Sequence, residues 1–196
     1  MKTSGRPVGK LGSAMTTMRD GPQTRRALLA AGAKVGSEGG IANLTVGRVI
    51  ETAGASKGSF FHHFPSREQF VLELHRDFHD AMFAEISSAR AGLAPGRQRL
   101  IAGARAFWRV SLKQREMRAC LIEARIDPVI AAEARLREAE IARAIESDLR
   151  AMGSANTGAL APLLLAAIRE VALLEHDRKA ALPSARRAFE SLLERG

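Results

Sequence analysis

Apolar positions recur at helical spacing along almost the whole of this chain. Ala27, Leu28, Ala31 and Val35 form the first stripe. It predicts a helix opening near Gln23-Thr24 and closing around Glu38-Gly39-Gly40, where glycine readily supplies a left-handed terminal residue. Thr45 then fits an N-cap, and Val46, Val49, Ile50 and Ala53 give a short apolar face that stops at Gly54. Ser56 fits a second N-cap ahead of residues 57–64, in which Phe60, Phe61 and Phe64 stand at i, i+1 and i+4. Two short helices separated by a glycine-bearing turn make a helix-turn-helix pattern. Pro65-Ser66 breaks it, and a long helix follows to about Ala91, carrying Phe70, Val71, Leu74, Phe78, Met82, Phe83 and Ile86.

Residues 92–96 interrupt the pattern. Leu100, Ile101, Ala104, Phe107, Trp108, Val110 and Leu112 then predict one or two helices up to Asp127-Pro128, a boundary because the residue before a proline disfavours helix. Residues 129–152 read as another helix and 153–158 as a loop. Residues 160–174 are nearly all apolar, too wide a face for a helix packed on one side only. Leu182-Pro183 opens a last helix with Ala188, Phe189, Leu192 and Leu193. No strand alternation and no internal repeat interrupts this series. The fold class is all-α, with three short N-terminal helices and five or six longer ones.

Composition agrees: 46% apolar, 5% aromatic and no tyrosine favour helices over a β-sandwich. The formal charge is +9, and its placement matters more than its size. Residues 1–70 hold ten Lys/Arg against four Asp/Glu, while residues 71–196 hold twenty against seventeen. Two-thirds of the excess therefore sits on the first third of the chain, where a polyanion-binding module would want it, although solubility alone would also use such charge. Residues 1–21 are glycine-bearing and aperiodic, and read as a flexible basic arm with Lys2, Arg6, Lys10 and Arg19 available to a phosphate backbone. A single cysteine, Cys120, excludes an intramolecular disulfide and a multi-cysteine zinc site, and fits a reducing cytoplasm. No run of about 18 apolar residues stands out, so no membrane span is expected.

From Thr24 to Phe70 the pattern becomes specific. Thr45-Val46 opens the second helix, Ala53-Gly54-Ala55-Ser56-Lys57-Gly58-Ser59-Phe60 forms the turn and third helix, and His62-His63-Phe64 and Ser66-Arg67-Glu68 follow. This segment, about a quarter of the chain, resembles the DNA-binding domain of the TetR family of bacterial transcription regulators. The resemblance implies a three-helix head at residues 22–68 and a larger helical effector-binding and dimerisation domain at residues 69–196. It implies a cytoplasmic homodimer, a ligand-responsive repressor of a palindromic operator, with DNA and a small molecule as partners. It implies no cofactor, no resident metal and no enzymatic activity.

Physical reasoning assigns roles within that segment. A recognition helix needs short side chains at its N-terminus to approach base edges in the major groove. Ser56, Lys57, Gly58 and Ser59 meet this need, with Lys57 able to bond guanine. Gly58 costs a helix interior roughly 1 kcal/mol, which suits close approach or tight packing. Phosphate contacts are expected from Thr45, Arg48, Phe61, His63 and Arg67. Where the family usually has tyrosine this chain has Phe61, which keeps the ring contact but loses a hydrogen bond worth about 1 kcal/mol. Where the first helix commonly ends with Leu-Phe, Val35-Gly36 stands, a change expected to loosen the small core.

Other residues keep competing readings. Phe78, Met82, Phe83, Phe107, Trp108, Leu112 and Met117 either line an effector cavity or are ordinary core, with Cys120, Glu123 and Arg125 as adjacent candidates. Cys120 is either a small buried hydrophobe or a sensor thiol with its pKa lowered by Arg118 or Arg125. His75 and His79 stand at i, i+4, as two ligands of one ion would, but the glutamate of HExxH is absent. The rival to a regulator is thus a small helical metal-binding protein or enzyme using His62, His63, His75 and His79. The glycines 32, 36, 39 and 40 lack the strand and the Gly-Lys-Ser/Thr of a phosphate loop.

Overall fold

The computed structural model describes residues 21–194, and among these every regular element is helical. The order is α1 (Gly21–Asn43), α2 (Val46–Ala53), α3 (Lys57–His63), α4 (Arg67–Arg90), α5 (Arg97–Lys113) and α6 (Arg115–Glu123). A 3-10 turn (Ala124–Ile126) leads to α7 (Pro128–Ala151), α8 (Thr157–Arg178) and α9 (Pro183–Leu192). The basic arm expected at residues 1–21 lies outside the described residues except for Gly21, which is already helical.

Side-chain caps open four of these helices, α2, α3, α4 and α7. Thr45 Oγ1 accepts from Arg48 N at 3.4 Å, Ser56 Oγ from Ser59 N at 3.1 Å and Ser66 Oγ from Gln69 N at 3.1 Å. Asp127 Oδ1 accepts from Val129 N at 2.8 Å, ahead of Pro128 in the first turn of α7. Each cap satisfies a donor that the helix leaves unpaired and is worth about 1 kcal/mol. Gly54 closes α2 at φ 60 and ψ 38, a left-handed conformation that a side chain would strain. The expected end of α1 at Gly40 is instead a kink, φ 67 and ψ −170, beyond which the helix resumes to Asn43. Two polar contacts hold that kink: Asn43 Nδ2 donates to Gly39 O at 2.8 Å, and Ile41 N donates to Glu123 Oε2 at 3.3 Å.

The head is α1 to α3 with the start of α4. Its centre is an aromatic cluster in which Phe60, Phe64 and Phe70 rings lie 5.0–5.6 Å apart, all three fully buried with Leu28, Leu44 and Val49. The Val35-Gly36 pair, expected to loosen the small core, instead marks a close contact with the body. Gly36 lies against α6 so closely that a Cβ there would stand 3.0 Å from Cys120 Sγ and 3.2 Å from Met117 Sδ. The missing side chain is what lets α1 and α6 touch.

In the body, α4 packs on α5, α5 on α8 and α7 on α8. Trp108 is fully buried, donates Nε1–H to Ile168 O at 2.9 Å and meets Phe189 edge-on at 5.5 Å. Two buried carboxylates tie loops to helices. Asp148 accepts from Arg90 at 3.0 Å, Arg99 at 2.6 Å and Gly96 N at 3.1 Å, which closes the α4–α5 loop onto α7. Glu175 takes both arms of Arg186, at 2.6 and 2.7 Å, and Leu182 N at 2.8 Å, which docks α9 on α8.

The expectation of no span-like stretch does not hold for α8, which is long and apolar enough to cross a membrane by length and composition. Its inner side supplies Ala161, Leu165, Ile168, Val171 and Ala172 to the core. Its outer side leaves Leu160, Leu163, Leu173 and Leu174 exposed, with Leu163 at 66%. That two-sided apolarity, not lipid, is what the broad hydrophobic run at residues 160–174 encodes.

Candidate nucleic-acid interface and the cavity behind it

Ser56 caps α3 and brings Lys57 and Gly58 to an exposed first turn, with Ser59 half-buried behind them. A Cβ on Gly58 would meet only Ser56 Oγ, at 3.9 Å, and one on Gly47 of α2 would meet nothing within 4 Å. Tight internal packing therefore does not explain Gly58. Both glycines weaken their helices by about 1 kcal/mol while facing open space. The head thus carries two smooth backbone patches, on α2 and α3, where a large partner can come close.

Around these patches stand the residues expected to hold phosphate. Thr45 and Arg48 are exposed, and Arg48 Nη1 donates to Asn43 Oδ1 at 2.6 Å. Phe61 is 41% exposed and edge-on to Phe60 at 5.3 Å, so its ring is available at the surface. His63 has its pKa lowered by burial, then by His62 and Arg25, which makes it a neutral N–H donor at neutral pH rather than a cation. Arg67 is committed inward: Nε donates to Leu44 O at 2.8 Å and Nη2 to Ile41 O at 3.0 Å. The last carbonyls of α1 have no helical partner, and Arg67 supplies one. A phosphate role for Arg67 competes with that brace.

The four histidines of the rival reading are not brought together. His62 and His63 end α3 at the surface, with ring centroids 5.1 Å apart. His75 is fully buried on α4 and His79 nearly so, their rings 4.3 Å apart. Among the described residues no three His, Cys, Asp or Glu side chains are grouped to hold a metal ion. Burial pushes the His75 pKa down to about 4 and that of His79 to about 3, with nearby Arg125 lowering both and His75 adding to the effect on His79. His75 Nδ1 and Nε2 and His79 Nδ1 have no hydrogen-bond partner.

His79 borders a cavity of about 50 Å³. Of the residues expected to line a cavity, Phe78, Met82 and Phe107 do so, and Arg125, expected as a polar neighbour, lies there as well. Leu121, Ile141 and Leu165 complete the apolar wall, and Arg118, Glu138 and Arg169 add charge. The other expected lining residues point elsewhere. Trp108 is core, and Leu112 borders a separate surface groove between α5 and α9. Met117 and Cys120 face α1 at Gly36, while Glu123 holds the α1 kink. Phe83 is half-buried and lines none of these spaces.

The Cys120 thiol is fully buried and its pKa is pushed up to about 11, by burial first and Glu123 second, against a smaller opposing pull from Arg67. The expected lowering by Arg118 or Arg125 is absent, so Cys120 behaves as a small hydrophobe. Glu138 and Arg169 were not expected at the cavity, and Arg118 was expected only beside Cys120, because charged residues read as surface. The available signal was the spacing Arg118, Leu121, Ile122, Arg125, a second face on a helix whose opposite face is also apolar.

Comparison with known proteins places this geometry. Residues 28–74 match the profile of bacterial regulatory proteins, tetR family. The HTH-type transcriptional repressor KstR2 of Mycolicibacterium smegmatis is 41% identical over 63 residues, 32% of this chain and 31% of that repressor. The matched segment thus spans about a third of that relative's length. A transcriptional regulator from Rhodococcus sp. Rha1 superposes with a TM-score of 0.78 at 22% identity, covering 87% of this chain and 94% of that one. A TetR-like transcriptional regulator from Rhodococcus sp. RHA1 superposes with a TM-score of 0.74 at 16% identity, covering 89% and 95%. At those identities the likeness is one of fold.

Proposed function

We propose that the chain, whose residues 28–74 match the tetR family of bacterial regulatory proteins, is a DNA-binding transcription regulator of the cytoplasm. The observation that carries the reading is the exposed, side-chain-free backbone at Gly47 and Gly58, flanking the capped start of α3. Lys57 and the short side chains of Ser56 and Ser59 read bases, while Thr45, Arg48, Phe61 and neutral His63 contact the sugar-phosphate backbone. The head spans residues 22–68 and the effector and dimerisation domain residues 69–196, with α4 running through the boundary.

The sign of regulation is repression, by analogy with the matched segment of KstR2. Two copies pair through the outer leucines of α8, joined by Leu136 of α7, which is 64% exposed. Such a dimer presents two α3 helices to adjacent major grooves of a palindromic operator. An effector in the cavity reaches the head by two routes. α4 runs from the Arg67 brace to Phe78 and His79 at the cavity, a rise of about 17 Å over eleven residues. α6 presents Arg118 and Leu121 to the cavity and packs Met117 and Cys120 against α1. A ligand preferring one arrangement of these helices shifts the spacing of the heads, which takes about 1–3 kcal/mol of differential affinity.

The test is selection of genomic DNA bound by the purified chain, followed by titration of the enriched site with wild type and Lys57→Ala. A palindrome is expected, with preference relaxed in the variant. Failure to enrich any palindrome sinks the reading, and unchanged preference removes Lys57 from base readout.

A further inference from the structure

The charges around the cavity do not balance. Arg118, Arg125 and Arg169 face it against a single carboxylate, Glu138. Glu138 Oε1 takes both Arg125, at 2.8 Å, and Arg169, at 3.0 Å. Arg118 has no ion-pair partner among the described residues and rests over the Phe107 ring at 5.9 Å. Its pKa is lowered by burial, and then by Arg169 and Arg125, so it is a partly desolvated cation that its surroundings leave uncompensated.

Two residues of the same wall also carry unpaired polar atoms. His79 is nine-tenths buried with Nδ1 unpartnered, and Arg125 Nε is likewise buried and unpartnered. Unpaired polar groups of this kind are costly in a dry interior. The remaining wall is apolar. Beyond Phe107, Ile141 and Leu165, which form a shared partition, lies another cavity of about 50 Å³ bordered by Ile86, Ile145 and Ile168.

We propose that this cavity takes a small monocarboxylic acid with an apolar body, an inference that rests on reading the cavity as the effector site. The carboxylate sits beside Arg118, whose planar fork suits two-oxygen recognition, and neutral His79 completes its hydrogen bonding. The apolar body lies along Phe78, Met82 and Leu165, and turning the Phe107 ring aside opens the second cavity to longer chains. Arg118 is the one guanidinium of the wall without a carboxylate contact, and one ligand carboxylate supplies it. An alcohol leaves Arg118 unpaired, and an amine adds a like charge to an already cationic site.

Calorimetry on the full chain with decanoate, decanol and decylamine, all below their micellar range, separates these cases. Decanoate is expected to bind about tenfold or more tighter than decanol, a factor equivalent to ~1.4 kcal/mol, with decylamine weakest. Arg118→Gln should erase the decanoate preference and leave decanol binding unchanged, while Arg118→Lys retains part of it. Equal binding of decanoate and decanol by the wild type overturns the proposal, whatever the variants do. So does an undiminished preference in a folded Arg118→Gln. Operator titration of the same preparations keeps the two readings apart. A chain that prefers decanoate yet never binds an operator upholds the ligand class and sinks the regulator. A chain that binds its operator and treats the three amphiphiles alike does the reverse.

Discussion

In the head, the polar atoms that set the helices lie three residues apart: Thr45 with Arg48, Ser56 with Ser59, Ser66 with Gln69. In the body, buried carboxylates bond across separate elements, Asp148 with Arg90 and Arg99 at 58 and 49 residues, and Glu175 with Arg186 at 11. The head keeps its polar groups outside and its three phenylalanine rings inside. The body keeps two histidines, two carboxylates and several guanidinium groups within or beside its core. A surface that meets DNA wants a rigid scaffold with polar groups on the outside. A cavity that meets a small molecule needs some of its polar groups held in reserve. The head's helices are thus set by caps within one turn, whereas the body adds carboxylates that join one element to another.

The largest expected blow to that contrast comes from the buried carboxylates. Asp148→Ala leaves Arg90 and Arg99 facing each other without a counter-charge, and should cost about 3–5 kcal/mol in urea unfolding of the full chain. A loss below about 1 kcal/mol would mean that long-range ion pairs do not hold the body.

Next comes pH. His75 and His79 have folded pKa values depressed to about 4 and about 3. The unfolded chain therefore takes up protons first. The two groups leave stability untouched well above their unfolded pKa, about 6.5. Below it, stability falls by up to about 1.4 kcal/mol per pH unit for each, levelling off near the folded values. His75→Leu should flatten one such slope between about pH 6 and 4, read by equilibrium unfolding across pH. It should also raise stability at pH 7, because it removes two unpaired buried nitrogens. A variant with the wild-type slope would remove His75 from this account.

Arg67 is the point at which the head departs from local bonding, since it reaches back to Ile41 and Leu44. Arg67→Ala should cost about 1–3 kcal/mol and weaken operator binding without changing its salt dependence. If the logarithmic salt slope falls by about 0.9, the residue also neutralises a phosphate.

The smallest effects separate folding from recognition on α3. Ser56→Ala should destabilise the head by about 1 kcal/mol. Gly58→Ala should stabilise it by up to about 1 kcal/mol while weakening operator binding. Tighter binding by the alanine variant would remove the argument for close approach at Gly58.

The same contrast explains what the sequence made legible. Thr45, Ser56 and Gly54 could be assigned as caps and turn, and Ser66 and Asp127 as boundaries, because each acts on its own neighbours. Helix ends therefore fell within a few residues, apart from the α1 kink, which needs Glu123 from 82 residues away. The cavity was another matter. Periodicity marks which residues of α5 and α6 are buried, but it does not say which neighbour covers them. Trp108, Met117 and Cys120 are interior as their spacing suggests, yet they pack on α8, α9 and α1 rather than on the cavity. Arg118 was missed at the cavity for the converse reason, since a charged residue enters a core only where something unseen in the sequence calls for it.

One feature of α8 reaches beyond the single chain. Its outer leucines leave an isolated protomer with a greasy flank in water. In the dimer proposed through these leucines, closing the two flanks makes melting temperature rise with protein concentration by mass action. A newly made copy is then fragile until it meets another, and scarce copies are the first to be lost to proteolysis. The abundance of the protein becomes part of what decides whether a working pair exists at all.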